Sequence, residues 1–270
     1  MSGRLLSRLA ISITISATIA SNAGAQGAFH WPAGKRAAIA LTYDDALLSQ
    51  LDIAIPQLDS AGFKGTFFLT SNFTDAQMER WRAAAREGHE LGNHSLYHPC
   101  LAKYFPAEPE YTAERYRVRT IIREIGVMDR LLHAIDGATV HPYAVPCSDA
   151  RVSDGGYLDS LGRSGLVSYV RNGGPRETAV ISDPARLDRF DVPSYGPTED
   201  PGSAAMIAFV DEIRRKGGVG VVQFHGVGGD YLAVSAKTHR DLLQYLARTP
   251  DVWVGTFQEV MDQATRAPAR

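Results

Sequence analysis

The chain has 270 residues and a mass of 29.3 kDa, is 44% hydrophobic and 21% charged, and so has the composition of a globular protein with one large core rather than a disordered tail or fibrous repeat. Its formal charge is −2, from 28 Lys and Arg against 30 Asp and Glu, with no basic block; the electrostatic footprint of a nucleic-acid binder is missing, and nucleic acid is not expected as a partner. Length alone leaves one α/β barrel or two small domains open.

Arg4 and Arg8 precede an apolar run from Leu9 to Ala20, followed by Ala23-Gly24-Ala25. This is the layout of a signal peptide with a small-x-small cleavage site, so residues 1–25 are expected to be removed after Ala25. The run is too short to span a bilayer comfortably and no second long apolar run follows, so no stable membrane anchor is expected. Cleavage removes two basic residues and leaves 26 against 30 acidic ones. The mature chain is then mildly acidic and periplasmic or secreted.

From Gln26 onward strand-like and helix-like segments alternate with short joints and no dividing linker, so residues 26–270 read as one domain. Ala37 to Thr42 is an apolar β run, Leu47 to Ser60 has helical spacing, and Gly65 to Thr70 is a second strand, which together form a βαβ unit. Asp75 to Glu87 reads as a helix, His89 to His94 as a strand, Thr112 to Ala134 as a long amphipathic helix, and Val140 to Val145 as the next strand. Asp154 to Gly162 is a candidate helix, Leu166 to Val170 a strand, and Asn172 to Gly202 a long irregular loop rich in Pro, Gly and Asp. A helix over Ser203 to Lys216, a strand over Val219 to Phe224, a helix over Ser235 to Arg248, a strand over Val252 to Val254 and a last helix complete the chain. Repeated β-then-α units imply parallel strands, closed as a distorted single-domain (β/α) barrel or open as a doubly wound sheet, with function at the strand C-terminal ends in either case.

The polar clusters fall at those ends. Thr42-Tyr43-Asp44-Asp45 puts two acids after an apolar strand, an expensive arrangement unless a cation or a proton relieves the repulsion. The bland alternative is that one Asp caps the helix that follows. Gly92-Asn93-His94-Ser95-Leu96-Tyr97-His98-Pro99 supplies two imidazoles four residues apart, which can face one ion; it is not the metalloprotease helix signature, since Ser95 follows His94 where that motif has Glu. One Asp and two His form a facial set for a divalent ion, leaving the other Asp for proton work. His225 ends a buried strand before the flexible Gly226-Val227-Gly228-Gly229; alone it reads as a structural histidine, and beside the metal set it becomes a candidate general acid. Cys100 and Cys147 each follow a proline and flank these segments. In an exported chain a disulfide between them is favoured over two free thiols, and a zinc-ligand role is weaker because neither belongs to a CxxC pair.

In this order and spacing, Thr42-Tyr43-Asp44-Asp45, His94-Ser95-Leu96-Tyr97-His98 and Phe224-His225 resemble the polysaccharide deacetylases of carbohydrate esterase family 4, over most of the mature chain. The resemblance implies a metal-dependent hydrolase that removes acetyl groups from a glycan, with Asp44 as base, Asp45, His94 and His98 as metal ligands and His225 as acid. It implies one divalent ion, zinc first, with cobalt or nickel also admitted. The family also has an Arg-containing Pro-Tyr-Gly-like strand end, and His141-Pro142-Tyr143-Ala144-Val145-Pro146-Cys147-Ser148-Asp149 departs from it in having no Arg. Aligning Pro146-Cys147-Ser148 with that motif makes Cys147 the backbone oxyanion donor; the other frame uses Pro142-Tyr143. Asp191 is the candidate partner of His225. Tyr195 and Tyr231 are candidate platforms for stacking on sugar rings, against the alternative of surface packing. The substrate implied is an N-acetylhexosamine glycan such as chitin or peptidoglycan, with acetylated xylan second. A non-catalytic glycan-binding relative and a phosphoester hydrolase are the competing readings. Nothing in the sequence speaks to oligomeric state.

Overall fold

The computed structural model describes residues 28–104 and 109–266. Residues 1–25, expected to be a signal peptide, lie outside the described residues.

The chain alternates as read. β1 (Ala37–Asp44) leads through a π-helical turn, Gln50–Ala54, into α1 (Ile55–Ser60) and then β2 (Thr66–Leu69), α2 (Asp75–Arg86), β3 (Glu90–Asn93), α3 (Val118–Asp136) and β4 (His141–Ala144). A small hairpin of β5 (Arg151–Val152) and β6 (Gly155–Gly156) precedes α4 (Leu158–Ser164) and β7 (Val167–Gly173). β8 (Val180–Ile181), β9 (Val192–Ser194), α5 (Gly202–Lys216), β10 (Val219–Phe224), α6 (Ala236–Ala247), β11 (Val252–Gly255) and α7 (Phe257–Ala264) follow. The sheet runs β10-β1-β2-β3-β4-β7-β9 with every neighbour parallel, while β8 joins β10 antiparallel and β11 joins the first half of β1. Tyr195 closes the circle: its N–H donates to the Val221 carbonyl, and its carbonyl accepts from the Gln223 N–H, both at 2.9 Å. The result is a distorted, nearly closed (β/α) barrel.

Three segments differ from their expected form. The Asn172 to Gly202 stretch is not one loop, because β8 and β9 lie in it; its Pro and Gly content hides strands of two and three residues. The long helix starts at Val118 rather than Thr112, since Arg117 is extended and the Asp154 carboxylate accepts the Val118 N–H at 2.7 Å. That use of Asp154, together with the β5–β6 hairpin, delays the next helix to Leu158.

Strand alternation sorts side chains into two layers. Facing out under the helices are Ile39, Leu41, Tyr43, Phe67 and Phe224, packed against buried residues such as Trp81, Met128, Leu132, Phe209 and Leu242. On α3 the buried Ile121, Ile125, Met128, Leu132 and Ile135 recur at helical spacing. Facing in are the small Ala38 and Ala40 with Phe68, Ala144, Val219 and Val221, and α7 plugs this lower half of the barrel with Phe257, Val260 and Met261. The plug matters for the site: Phe68 lies edge-on to Phe257 at 6.0 Å, and above Phe68 the interior turns polar. Among the described residues no helix is long and apolar enough to cross a membrane.

Candidate active site

Asp44 is the last residue of β1, inward-facing and completely buried. Its Oδ2 accepts from Arg171 Nη2 at 2.6 Å and from Gln223 Nε2 at 2.9 Å, whereas Oδ1 has no hydrogen-bond partner among the described residues. Arg171 comes from β7; its Nη1 donates to Ser194 Oγ at 3.2 Å and its guanidinium lies 5.1 Å from the Phe68 ring centre. A Cβ at Gly92 would fall 2.4 Å from that ring, so the Phe68–Arg171 stack depends on glycine there. Burial opposes ionisation of Asp44, but the charges around it, Arg171 foremost, outweigh burial and lower its pKa. The Arg missing from the Pro146-Cys147-Ser148 stretch is therefore supplied by another strand.

Asp45 turns the chain away from the strand with φ of 78°, and Ala46 follows at 58°. Non-glycine residues in this region are strained and persist where the surroundings over-determine them. Asp45 Oδ1 lies 3.5 Å from His94 Nε2 and 3.4 Å from His98 Nε2. His94 Nδ1 donates to the Ala144 carbonyl at 2.8 Å, which fixes its tautomer and leaves Nε2 facing the carboxylates. The loop carrying His98 is built around Ser95 (φ 62°): Asn93 Oδ1 accepts the Ser95 N–H at 2.9 Å, and Ser95 Oγ accepts the His98 N–H at 3.1 Å. Glu124 of α3 accepts the Leu96 and Tyr97 N–H groups at 3.1 and 3.0 Å. One ligand atom each from Asp45, His94 and His98 lies within 4.8 Å of the others.

This donor set suits a divalent ion. Burial drives the His94 pKa down to about 3 and lowers that of His98, so both imidazoles are neutral and free to ligate. Burial, together with the Asp44 charge, overrides the nearby His225 and holds the Asp45 carboxyl up at about 6, the cost that a cation at this point would remove. His225 closes the opposite wall, with Nε2 at 3.8 Å from Asp45 Oδ2 and 4.0 Å from Asp44 Oδ2. Gln50 Nε2 ties the end of β1 to this wall, donating to the carbonyls of Asp44 and His225 at 2.5 and 3.1 Å.

The group opens into a cavity of about 540 Å³ lined also by Tyr104, Cys147, Ser148, Gly173, Ser194, Gln223, Tyr231 and Leu232. Cys147 and Ser148 both have positive φ, 51° and 54°, and Cys147 is joined to Cys100 in a disulfide with a Cα–Cα distance of 5.7 Å. The two sulfurs are bonded to each other, which sets aside a cysteine ligand for zinc. Tyr143, on which the other frame depends, is buried with its hydroxyl 3.0 Å from that of Tyr157 and belongs to the core beneath α3 and α4.

Two expected site residues lie elsewhere. Tyr195 does not line the cavity: Ser194 points inward, so its neighbour points outward, where its ring packs 5.0 Å from Phe209 of α5. Asp191 is exposed and accepts from Asn172 Nδ2 at 2.8 Å, away from His225, whose buried Nδ1 has no partner among the described residues. Conversely, Arg171 and Gln223 were missed. Each is a polar residue at inward parity near the end of an apolar strand, the one signal by which they were findable.

A polysaccharide deacetylase family profile matches residues 32–156, the stretch that carries Asp44, Asp45, His94, His98 and Cys147. Over that stretch the chain matches the polysaccharide deacetylase family. The fold agrees. A Mycobacterium smegmatis structure named provisionally as a polysaccharide deacetylase is similar at TM-score 0.65 and 17% identity, over 90% of this chain and 97% of that one. The Bc1960 peptidoglycan N-acetylglucosamine deacetylase is similar at TM-score 0.54 and 20% identity, over 84% and 89%. A family 4 acetyl xylan esterase from Clostridium thermocellum, solved with a cobalt ion, is similar at TM-score 0.53 and 15% identity, over 83% and 90%. Among curated proteins, a gellan lyase from Bacillus sp is 24% identical over 252 residues; the match takes in 86% of this chain but only 9% of that protein's length.

Proposed function

We propose that the chain is a metal-dependent carbohydrate deacetylase acting on an N-acetylhexosamine glycan of the chitin or peptidoglycan kind. The observation that carries this reading is the Asp45, His94 and His98 set beside a second, Arg171-held carboxylate, with His225 facing both across one cavity. Likeness to a peptidoglycan deacetylase supports the amide substrate, and likeness to an acetyl xylan esterase supports an O-acetyl ester as second reading. A phosphoester is disfavoured because no Lys or Arg is among the described residues lining the cavity, and the nearby Arg171 is engaged with Asp44. A purely glycan-binding role is less favoured, because Arg171 pairs with Asp44 although the Pro146-Cys147-Ser148 stretch has no Arg.

Asp45, His94 and His98 would hold a divalent ion, zinc first with cobalt or nickel admitted, which would supply Lewis acidity toward the acetyl carbonyl and a nearby water. Asp44 takes the proton of the attacking water through Oδ1, the oxygen that has no partner, while Arg171 and Gln223 hold Oδ2 and fix the carboxylate's orientation. The Cys147 backbone N–H, presented by the left-handed turn and the disulfide, donates to the developing oxyanion. His225 hands a proton to the departing nitrogen or oxygen, which releases acetate and the free sugar. The same reading places the mature chain, from Gln26, in the periplasm or the medium, where the disulfide persists.

Two variants test the roles. Asp44→Asn keeps its bound metal and loses at least about 10²-fold in kcat, whereas His94→Ala loses metal and turnover together. An Asp44→Asn protein without metal would exchange the roles of Asp44 and Asp45.

A further inference from the structure

The two oxygens of Asp45 have different neighbours. Oδ1 faces the imidazoles of His94 and His98 at 3.5 and 3.4 Å, while Oδ2 accepts from the Tyr231 hydroxyl at 3.0 Å. The Tyr231 bond holds the carboxylate against rotation, so that one oxygen is reserved for the imidazole side.

The loop that brings Tyr231 there is tightly specified. Within Gly226–Val234, the Gly226 N–H donates to the Tyr231 carbonyl and the Val234 N–H to the Gly226 carbonyl, both at 3.1 Å, and the Gly228 N–H donates to the Val234 carbonyl at 2.8 Å. Ser49 pins the loop from below: its N–H donates to Asp230 Oδ2 at 2.8 Å and its hydroxyl accepts the Val227 N–H at 3.1 Å. A Cβ at Gly226 would fall 2.0 Å from the Gly229 carbonyl oxygen, so the turn has no room for any other residue. Asp230 and Leu232, on either side of Tyr231, have φ of 62° and 47°. Strained non-glycine residues of this kind are retained where a fixed geometry is needed. A ring that merely covered the mouth of the cavity would need neither its strained neighbours nor the bond to Asp45.

We propose that Tyr231 is a positioning residue for the metal centre, its hydroxyl fixing Asp45 as a one-oxygen ligand and thereby setting the affinity of the site for its divalent ion. This rests on the reading of Asp45, His94 and His98 as ligands. It also moves the role of Tyr231 from its ring face, expected to stack on a sugar, to its hydroxyl. Removing a partner that orients a metal ligand typically costs 10–100-fold in affinity.

The test is zinc titration of metal-stripped mature protein against a competing chelator, with the d–d spectrum of the cobalt-loaded protein as second readout, for wild type, Tyr231→Phe and His94→Ala. Tyr231 is 52% exposed and phenylalanine keeps its ring, so the variant is expected to fold, which the melting temperature of the metal-free protein checks. Wild type should bind one zinc, His94→Ala none, and Tyr231→Phe should bind 10–100-fold more weakly with an altered cobalt spectrum as Oδ2 becomes free to join the ion. Wild-type zinc affinity and cobalt spectrum in Tyr231→Phe would overturn the proposal and leave the ligand set standing. A lower melting temperature with an unchanged cobalt spectrum would assign the hydroxyl to folding and overturn it as well. Wild type that binds no zinc would remove the ligand set, and this inference with it.

Discussion

Replacing Arg171 by methionine removes the cation beneath Asp44 while filling a similar volume on the Phe68 ring. The side chains of Arg171 and Asp44 are 0% and 1% exposed, so no water can take over the ion pair. Removing one partner of such a buried pair costs about 3–5 kcal/mol. Gln223 Nε2 remains on Oδ2 at 2.9 Å, which places the expected loss near the lower end, about 3 kcal/mol at pH 7. The carboxyl can relieve part of this by binding a proton, because burial, opposed in the wild type by Arg171, then dominates and raises its pKa. The sign of the pH dependence therefore reverses. In the wild type the lowered pKa of Asp44 contributes stability that is present above its ordinary value and lost as pH falls; in Arg171→Met a raised pKa makes this one group favour folding more as pH falls, so the deficit relative to wild type narrows from pH 7 to pH 5. A protonated Asp44 cannot act as base, so the acid limb of kcat/KM for acetate release moves to higher pH, with a loss of about 10²–10⁴-fold at pH 7. Urea unfolding of the metal-free protein at pH 5 and 7 and the pH profile of turnover measure both. Arg171→Lys, which keeps the charge but not the fork that also reaches Ser194, should fall between. An Arg171→Met protein within about 0.5 kcal/mol of wild type, with an unmoved acid limb, would refute the assignment of Arg171 as the holder of Asp44.

His141 lies at the other end of the barrel, with Nδ1 2.7 Å from Asp129 and Nε2 3.2 Å from Asp136. Burial pulls its pKa down, but the bonds to the two carboxylates win and raise it to about 9. A raised folded pKa means stabilisation that is complete below about 6.5 and lost as pH climbs through about 9, on the order of 3 kcal/mol in all. Urea midpoints at pH 6 and pH 9.5 should show that fall in the wild type and little of it in His141→Gln; equal slopes would remove the clamp. The Cys100–Cys147 bridge spans 47 positions, for which chain entropy gives about 4 kcal/mol. Unfolding with and without reductant should show a loss of that order, together with weaker metal binding, because the bridge joins the His98 loop to the turn after β4. A loss under about 1 kcal/mol would mean that the reduced ensemble is already ordered there.

The strand ends were legible because each reads locally: an apolar run followed by Asp44-Asp45, His94 or His225 is a short-range pattern, and parallel β/α order brings such ends together. Arg171 was not legible, because it is bound to a carboxylate 127 positions away and the strand expected over Leu166 to Val170 stops three residues short of the observed end at Gly173, leaving Arg171 outside it. Tyr195 was misplaced for a related reason. With no strand recognised at Val192–Ser194, there was no parity to show that Ser194 turns inward and Tyr195 outward. The same unrecognised strand left Asp191 free to be assigned to His225, though it pairs with Asn172 instead. Cys100 and Cys147 were paired from compartment and position alone, and the barrel brings the two segments together because β3 and β4 are neighbours.

Asp45, His94 and His98 beside Asp44 point to a metal-dependent removal of acetyl groups from a glycan. Its most direct test is acetate release by the mature protein, residues 26–270, from a panel of N-acetylated and O-acetylated glycans, with chelator and then with added zinc. Chelator should abolish the release and zinc restore it, with the highest release from an N-acetylhexosamine polymer. Zinc-loaded protein that releases no acetate from any member of the panel would contradict it.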